Sequence, residues 1–255
     1  MIGAILQARM TSTRFPGKSM ALLAGRPVLE WVIERAKLIP FVEKVIVAMP
    51  SDKASAPMGE LCERLGVETF YGPEDDVLRR YYLAAMTFEL DTIVRITGDC
   101  PMFDPLVAGE VLALLKAKNL DYCSNVFPKR TYPKGFDVEA FTFECLEAAH
   151  IESEDDPDYP PAKRRALAYN REHVGVWAQK RKGVQRANVQ QRVDQSNINL
   201  CIDYPADLER LENIIGKMKL PGLGLIGVAT MPEAEKASQQ IRQLLEMTTD
   251  DKKAN

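Results

Sequence analysis

Three cations crowd one short segment near the start of the chain, Arg9, Arg14 and Lys18 in "ILQARMTSTRFPGKSM" (residues 5–20), which also holds Pro16 and Gly17. Guanidinium forks, an ammonium group and the backbone N–H groups of Met10 to Thr13 match the oxygens of a polyphosphate. Neither glycine-rich phosphate pattern is present. There is no G-x-G-x-x-G, and Lys18-Ser19 lacks the upstream glycine of a P-loop. An anion here would therefore be held by side chains as well as backbone. A solvated basic loop is the alternative that the same spacing allows.

Carboxylates supply the second constellation. Asp99 and Asp203 each end an apolar run just ahead of a turn with a proline, Pro101 or Pro205. Two acids at neighbouring strand ends could share a Mg²⁺ ion, which takes few protein oxygens and completes its shell with water and phosphate. Helix capping is the competing role for each. Glu74-Asp75-Asp76 is a decoy for a D-x-D metal site, because Asp76 has the type and place of an N-cap for "VLRRYYLAA". In "RITGD", alternation puts Arg95, Thr97 and Asp99 on one face, and the arginine there requires a bound anion or an internal salt bridge. In "GFDVEAF", Asp137 and Glu139 share a face, either for sugar hydroxyls and metal or as a polar surface. His150 has no such company and reads as structural or superficial.

These residues need a scaffold, and the pattern of the chain describes one. Residues 3–8, 44–49, 67–72 and 92–99 read as strands. Residues 28–39, 58–65 and 77–90 carry apolar side chains at helical spacing, with Pro57 and Gly66 punctuating the second helix. Strict alternation predicts an α/β fold, a mainly parallel sheet with helices on both faces. The cationic loop then lies at the carboxyl end of the first strand, where open α/β sheets bind ligands. From about residue 119 the rhythm breaks into prolines and short β signals, so residues 121–193 are expected to elaborate the sheet and shape a second substrate's site. A strand, turn and helix return over residues 197–215. One domain over residues 1–215 is expected, followed over 216–255 by a connector, a helix starting near Pro232 and a charged tail.

The 255 residues are 46% hydrophobic, enough for a full core, and the net charge of -3 with pI near 5.6 gives no nucleic-acid footprint. No signal-peptide pattern or membrane-length apolar run stands out, so a cytoplasmic protein that binds no membrane is expected. Cys62, Cys100, Cys123, Cys145 and Cys201 form no C-x-x-C pair and read as small core residues.

The opening segment "ILQARMTSTRFPGK" resembles the signature of the nucleotide-sugar cytidylyltransferases, the family of the CMP-sialic acid and CMP-Kdo synthetases, and most closely its spore-coat SpsF-like branch. Further matches follow in order: "FYGPEDDVLRRYYLAA", "IVRITGDCPMFDP", "YPKGFDVEAF", "REHV" and "CIDYPADLERL". The resemblance implies a Rossmann-like nucleotide-diphosphosugar transferase fold, transfer of CMP from CTP to a sugar or sugar acid with release of pyrophosphate, Mg²⁺ as cofactor and a homodimer. It also implies roles. Gln7, Ala8, Arg9, Met10, Arg14, Lys18, Gly72, Arg79, Thr97 and Gly98 would lie on the nucleotide side, with Arg14, Lys18 and Asp99 catalytic and Asp99 and Asp203 holding metal. Asp137, Glu139, Arg171, Glu172 and His173 would face the sugar. A glycosyltransferase using a nucleotide diphosphate sugar, or a non-enzymatic nucleotide-binding protein, are the alternatives. The acceptor and the general base stay open.

Overall fold

The computed structural model describes residues 1–154 and 157–217. Its centre is β1 (Ile2–Gln7), whose Ala4, Ile5 and Leu6 are fully buried. A strand covered on both faces must be apolar at every position, which is why the run does not alternate with polar residues. β4 (Lys44–Pro50) and β6 (Thr92–Thr97) flank it in parallel, and β5 (Glu68–Gly72) lies parallel beyond β4.

Helices join these strands by crossovers. α1 (Val28–Ala36), α2 (Ala56–Arg64) and α4 (Pro105–Ala117) pack with Ala4 and Leu6 on one face. α3 (Val77–Thr87) packs with Ile5 on the other. Their ends obey local chemistry. Asp104 caps α4 by accepting from Leu106 N–H at 2.9 Å, with Pro105 in the first turn, and Gly66 takes φ +62° just past α2. Between β1 and α1, β2 (Leu22–Leu23) and β3 (Arg26–Pro27) form a small hairpin, turned at Ala24 and Gly25 with positive φ.

The remaining strands come from the part where the sequence rhythm breaks. β7 (Tyr122–Ser124), β8 (Glu139–Thr142) and β9 (Arg186–Asn188) extend the sheet to the order β5-β4-β1-β6-β8-β7-β9. β8 runs antiparallel to both neighbours, and the other strands run together. α5 (Phe143–Glu152) and α7 (Val176–Lys180) cover this half on the α3 side, while α6 (Pro161–Glu172) packs on α3 and is largely exposed.

The strand expected before Asp203 is not part of this sheet. Asn197 ends a turn, residues 198–203 form no strand beyond a single parallel bridge from Asn199 to Lys134, and α8 (Pro205–Lys217) follows. The expected helix near Pro232 and the charged tail lie outside the described residues. No helix among the described residues is long and apolar enough to cross a membrane.

Candidate active site

A cleft of about 330 Å³ opens at the carboxyl ends of β1 and β6. The loop after β1 forms one wall. Gly17 adopts φ +74°, in the left-handed region that favours glycine, and its N–H donates to Met10 O at 2.8 Å, closing the loop on itself. Ser19 Oγ fastens the other side, donating to Arg9 O at 3.1 Å. Among the described residues, no acceptor takes the backbone N–H groups of residues 9–14. A loop of free donors carrying two exposed guanidiniums is built to meet an anion. Arg9, Ser12, Thr13, Arg14 and Lys18 all line the cleft.

Lys18 joins the loop to the two acids. Its Nζ donates to Asp99 Oδ2 at 2.6 Å and to Ile202 O at 3.0 Å, and it lies 3.5 Å from Asp203 Oδ1. Arg14 Nη1 reaches the same Asp203 oxygen at 3.6 Å, and its guanidinium lies over the Tyr204 ring. Residues 104 apart in sequence thus converge because Ile202 N–H donates to Asp99 O at 2.9 Å. Neither acid caps a helix. Asp104 caps α4, and Asp207 receives the N–H groups of Asp203 and Tyr204, each at 2.8 Å. Burial pushes the Asp99 carboxyl up, but Lys18, Thr97 and Cys100 outweigh it and hold the group below the usual carboxylate range. Asp99 is therefore ionised at neutral pH.

Gly98 makes the close approach possible. A Cβ there would stand 2.7 Å from Gln7 O and 3.1 Å from Ala8 Cβ. Cys100 and Cys201 were expected as core residues; their sulfurs lie 3.6 Å apart beside the two acids, with Cys201 partly exposed.

Several sequence expectations need correction. Glu139 does not face a substrate. It is 4% exposed and locked in an internal pair with Arg95, its register partner on β6, while Tyr122 Oη and Gln179 Nε2 donate to Oε1 at 2.6 and 3.2 Å. This is also the anion that Arg95 required, although Arg95 still lines the cleft beside Thr97 and donates to Gln7 Oε1 at 3.2 Å. Burial opposes the Arg95 charge, but Glu139 and the tyrosines beside it raise its pKa. Asp137 precedes β8 and forms a bidentate pair with Arg130. Arg171 is held by Asp76, by Ser153 O at 2.8 Å and by His150 O at 3.4 Å, so it ties α6 to α3. Its neighbours Glu172 and His173 do line the cleft, with the His173 ring 4.3 Å from that of Tyr169.

The segment after β5 shows the same division. Asp76 caps α3, accepting from Arg79 N–H at 2.9 Å. Gly72 serves packing: a Cβ there would stand 3.0 Å from Phe70 and 3.1 Å from Arg80. The Arg79 side chain points to solvent, and Arg80, which the sequence reading passed over, lines the cleft instead. The signal was available. Val77, Tyr81 and Ala84 are the inward positions of α3, and Arg80 is a cation at the same face. Burial lowers the Arg80 pKa.

The sequence model of a family described as cytidylyltransferase matches residues 3–221. The chain belongs to the cytidylyltransferase family. Among curated relatives, the uncharacterized protein MJ1063 of Methanocaldococcus jannaschii is 39% identical over 171 residues, 67% of this chain and 63% of that protein. The spore coat polysaccharide biosynthesis protein SpsF of Bacillus subtilis is 27% identical over 84% of this chain and 85% of its own length. A 3-deoxy-manno-octulosonate cytidylyltransferase of Geobacter metallireducens is 34% identical over 46% of this chain. This chain's match spans 63% of the archaeal protein and 45% of the Geobacter enzyme, less than two thirds of either. Among solved structures, a cytidylyltransferase from Leptospira borgpetersenii superposes with TM-score 0.78 at 27% identity, covering 96% of both chains. A CMP:2-keto-3-deoxy-manno-octonic acid synthetase complexed with CTP, at 16% identity and TM-score 0.63, shares the fold. The α/β architecture is therefore the Rossmann-like one of nucleotidyltransferases.

Proposed function

We propose that this cytidylyltransferase-family chain transfers CMP from CTP to a hydroxyl of a sugar acid or related sugar and releases pyrophosphate. The observation that carries the reading is Lys18 held between Asp99 and Asp203 beneath a loop of unpaired N–H groups. The family match and the SpsF and Kdo relatives support CTP and a surface-glycan precursor as the substrates.

The reaction is an in-line displacement at the α-phosphorus. The acceptor oxygen forms the new P–O bond as the bond to pyrophosphate breaks, and the acceptor's proton leaves to solvent or a nearby carboxylate. Arg9, Arg14, Lys18 and the loop N–H groups orient the triphosphate and neutralise charge on the departing pyrophosphate. Glu172 and His173, at the rim of the cleft, hold the acceptor. No covalent nucleophile is required.

Two adjacent carboxylates already bridged by an ammonium suit a hard divalent cation completed by phosphate and water. Asp99 and Asp203 would hold Mg²⁺, which supplies charge neutralisation to the phosphates when bound. A related fold from Mycobacterium tuberculosis has been solved in complex with manganese. We further propose that the enzyme acts as a cytoplasmic homodimer.

Incubation with CTP, MgCl₂ and a panel of sugar acids tests the reading through pyrophosphate release. Arg14→Ala and Asp99→Asn are expected to cut that release by about a hundredfold or more with the fold intact. Full turnover in either variant overturns the site. Release only from a nucleotide diphosphate sugar overturns the reaction.

A further inference from the structure

Two thiols from distant parts of the chain touch beside the acids of the cleft. Cys100 follows Asp99 directly and Cys201 precedes Asp203 by two residues, and their sulfurs lie 3.6 Å apart across a sequence separation of 101 residues. Cys100 is 2% exposed, and Cys201 is partly exposed. The other three cysteines, Cys62, Cys123 and Cys145, are buried. The proposed transfer uses neither sulfur of the pair.

The backbone already holds the two thiols together. Ile202 N–H donates to Asp99 O at 2.9 Å, which fastens the two segments one residue from each cysteine. A disulfide requires sulfurs about 2.05 Å apart, so the 3.6 Å gap must shorten by roughly 1.5 Å, a movement that side-chain rotation supplies. That rotation reaches the acids. Cys100 Sγ lies 3.0 Å from Thr97 Oγ1 and donates to Asp99 Oδ1 at 3.5 Å, and a disulfide sulfur has no proton to donate. Cys201, drawn toward Cys100, pulls on Ile202, whose O accepts from Lys18 Nζ at 3.0 Å. A bond between the sulfurs therefore disturbs Asp99, Lys18 and Asp203 together.

We propose that hydrogen peroxide joins Cys100 and Cys201 in a reversible disulfide and that this bond switches the cleft off. The inference rests on Asp99, Lys18 and Asp203 serving the proposed transfer. Cys201 is the sulfur that peroxide reaches. It attacks one peroxide oxygen, the O–O bond breaks, and water leaves with the thiol proton, so Cys201 becomes a sulfenic acid. Cys100 Sγ then attacks Cys201 Sγ, the S–O bond breaks, and the hydroxyl leaves with the Cys100 proton as a second water. The two thiols lose two electrons, and hydrogen peroxide takes both. A dithiol reductant restores the thiols by exchange.

Peptide mapping and pyrophosphate release on the same full-length sample test this, before hydrogen peroxide, after it, and again after dithiothreitol. Trypsin leaves Cys100 in residues 96–116 and Cys201 in residues 193–210, each peptide with one cysteine. Peroxide is expected to cross-link these two peptides and to cut release by about tenfold or more, the scale of a small misplacement at the reacting centre. Dithiothreitol reverses both changes. Cys201→Ser keeps its release and is insensitive to peroxide. Absence of the cross-linked pair overturns the inference, as does a cross-link that leaves release unchanged. An equal peroxide loss in Cys201→Ser also overturns it, because the oxidation then lies elsewhere. Should Cys201→Ser fail to fold, a loss that dithiothreitol does not reverse, the mark of sulfinic acid or methionine sulfoxide, overturns it in the unaltered protein. No release from the reduced protein contradicts the transfer itself, a separate failure, and the peptide map still judges the bond.

Discussion

At the scale of single residues, the cleft depends on one close approach and one shared ammonium. Gly98 brings the β6 end against Gln7 and Ala8, and a methyl group there would overlap Gln7 O at 2.7 Å, a backbone atom with little room to move. Gly98→Ala should lower stability by about 1–3 kcal/mol and cost more in activity than in fold, because Asp99 is displaced with it. Thermal melting and pyrophosphate release on the same sample check this; a variant with wild-type turnover would show that the approach is not needed. The cationic loop stood out in sequence because three charges crowd one short segment, whereas the pairing of the two acids rested on the resemblance and on their similar places at the ends of apolar runs. Glu139 was misread for a related reason, and Arg171, placed by the resemblance alone, meets the same outcome. Pattern shows that a charge needs a counter-charge but not whether the chain itself provides it, and here Asp76 and Arg95 do.

At the scale of elements, the joint between β6 and β8 is held by a buried ion pair. Glu139 is closely enclosed: a Cβ on Gly175 would stand 1.8 Å from its Oε1, so glycine there makes room for the carboxylate. Arg95→Met would strand that carboxylate and should cost about 3–5 kcal/mol, whereas Arg95→Met with Glu139→Leu should recover much of the loss. Urea unfolding of the single and double variants decides it, and equal losses in both would refute the account. The parallel half of the sheet was readable because each strand and helix shows its own period. β7, β8 and β9 were not, since each is only three or four residues long and their order is set by tertiary pairing. The segment before Asp203 has strand composition yet makes a single bridge, to Lys134, rather than a ladder.

At the scale of the whole molecule, the core holds thiols in their neutral form. Burial pushes Cys62 up to about 11, and Cys123 and Cys145 up to about 12, from an ordinary 9.0. The unfolded chain releases these protons near pH 9, while the folded chain keeps them to pH 11–12. Between those limits the unfolded state binds fewer protons, so stability falls as pH rises. The contribution is complete below pH 9, and by pH 10.5 the loss is on the order of a few kcal/mol. Urea midpoints at pH 8 and 10.5 measure it; coincident midpoints would contradict the burial of these thiols.

The central claim is that the cleft is a nucleoside triphosphate site selective for CTP. The most direct measurement is thermal melting of the full-length protein with CTP, UTP, GTP or ATP, each with and without Mg²⁺, because a ligand that binds only the folded state raises the melting temperature. The account predicts a rise with CTP and Mg²⁺ that exceeds the other three. No rise with any triphosphate, together with a rise on adding a nucleotide diphosphate sugar, would contradict it.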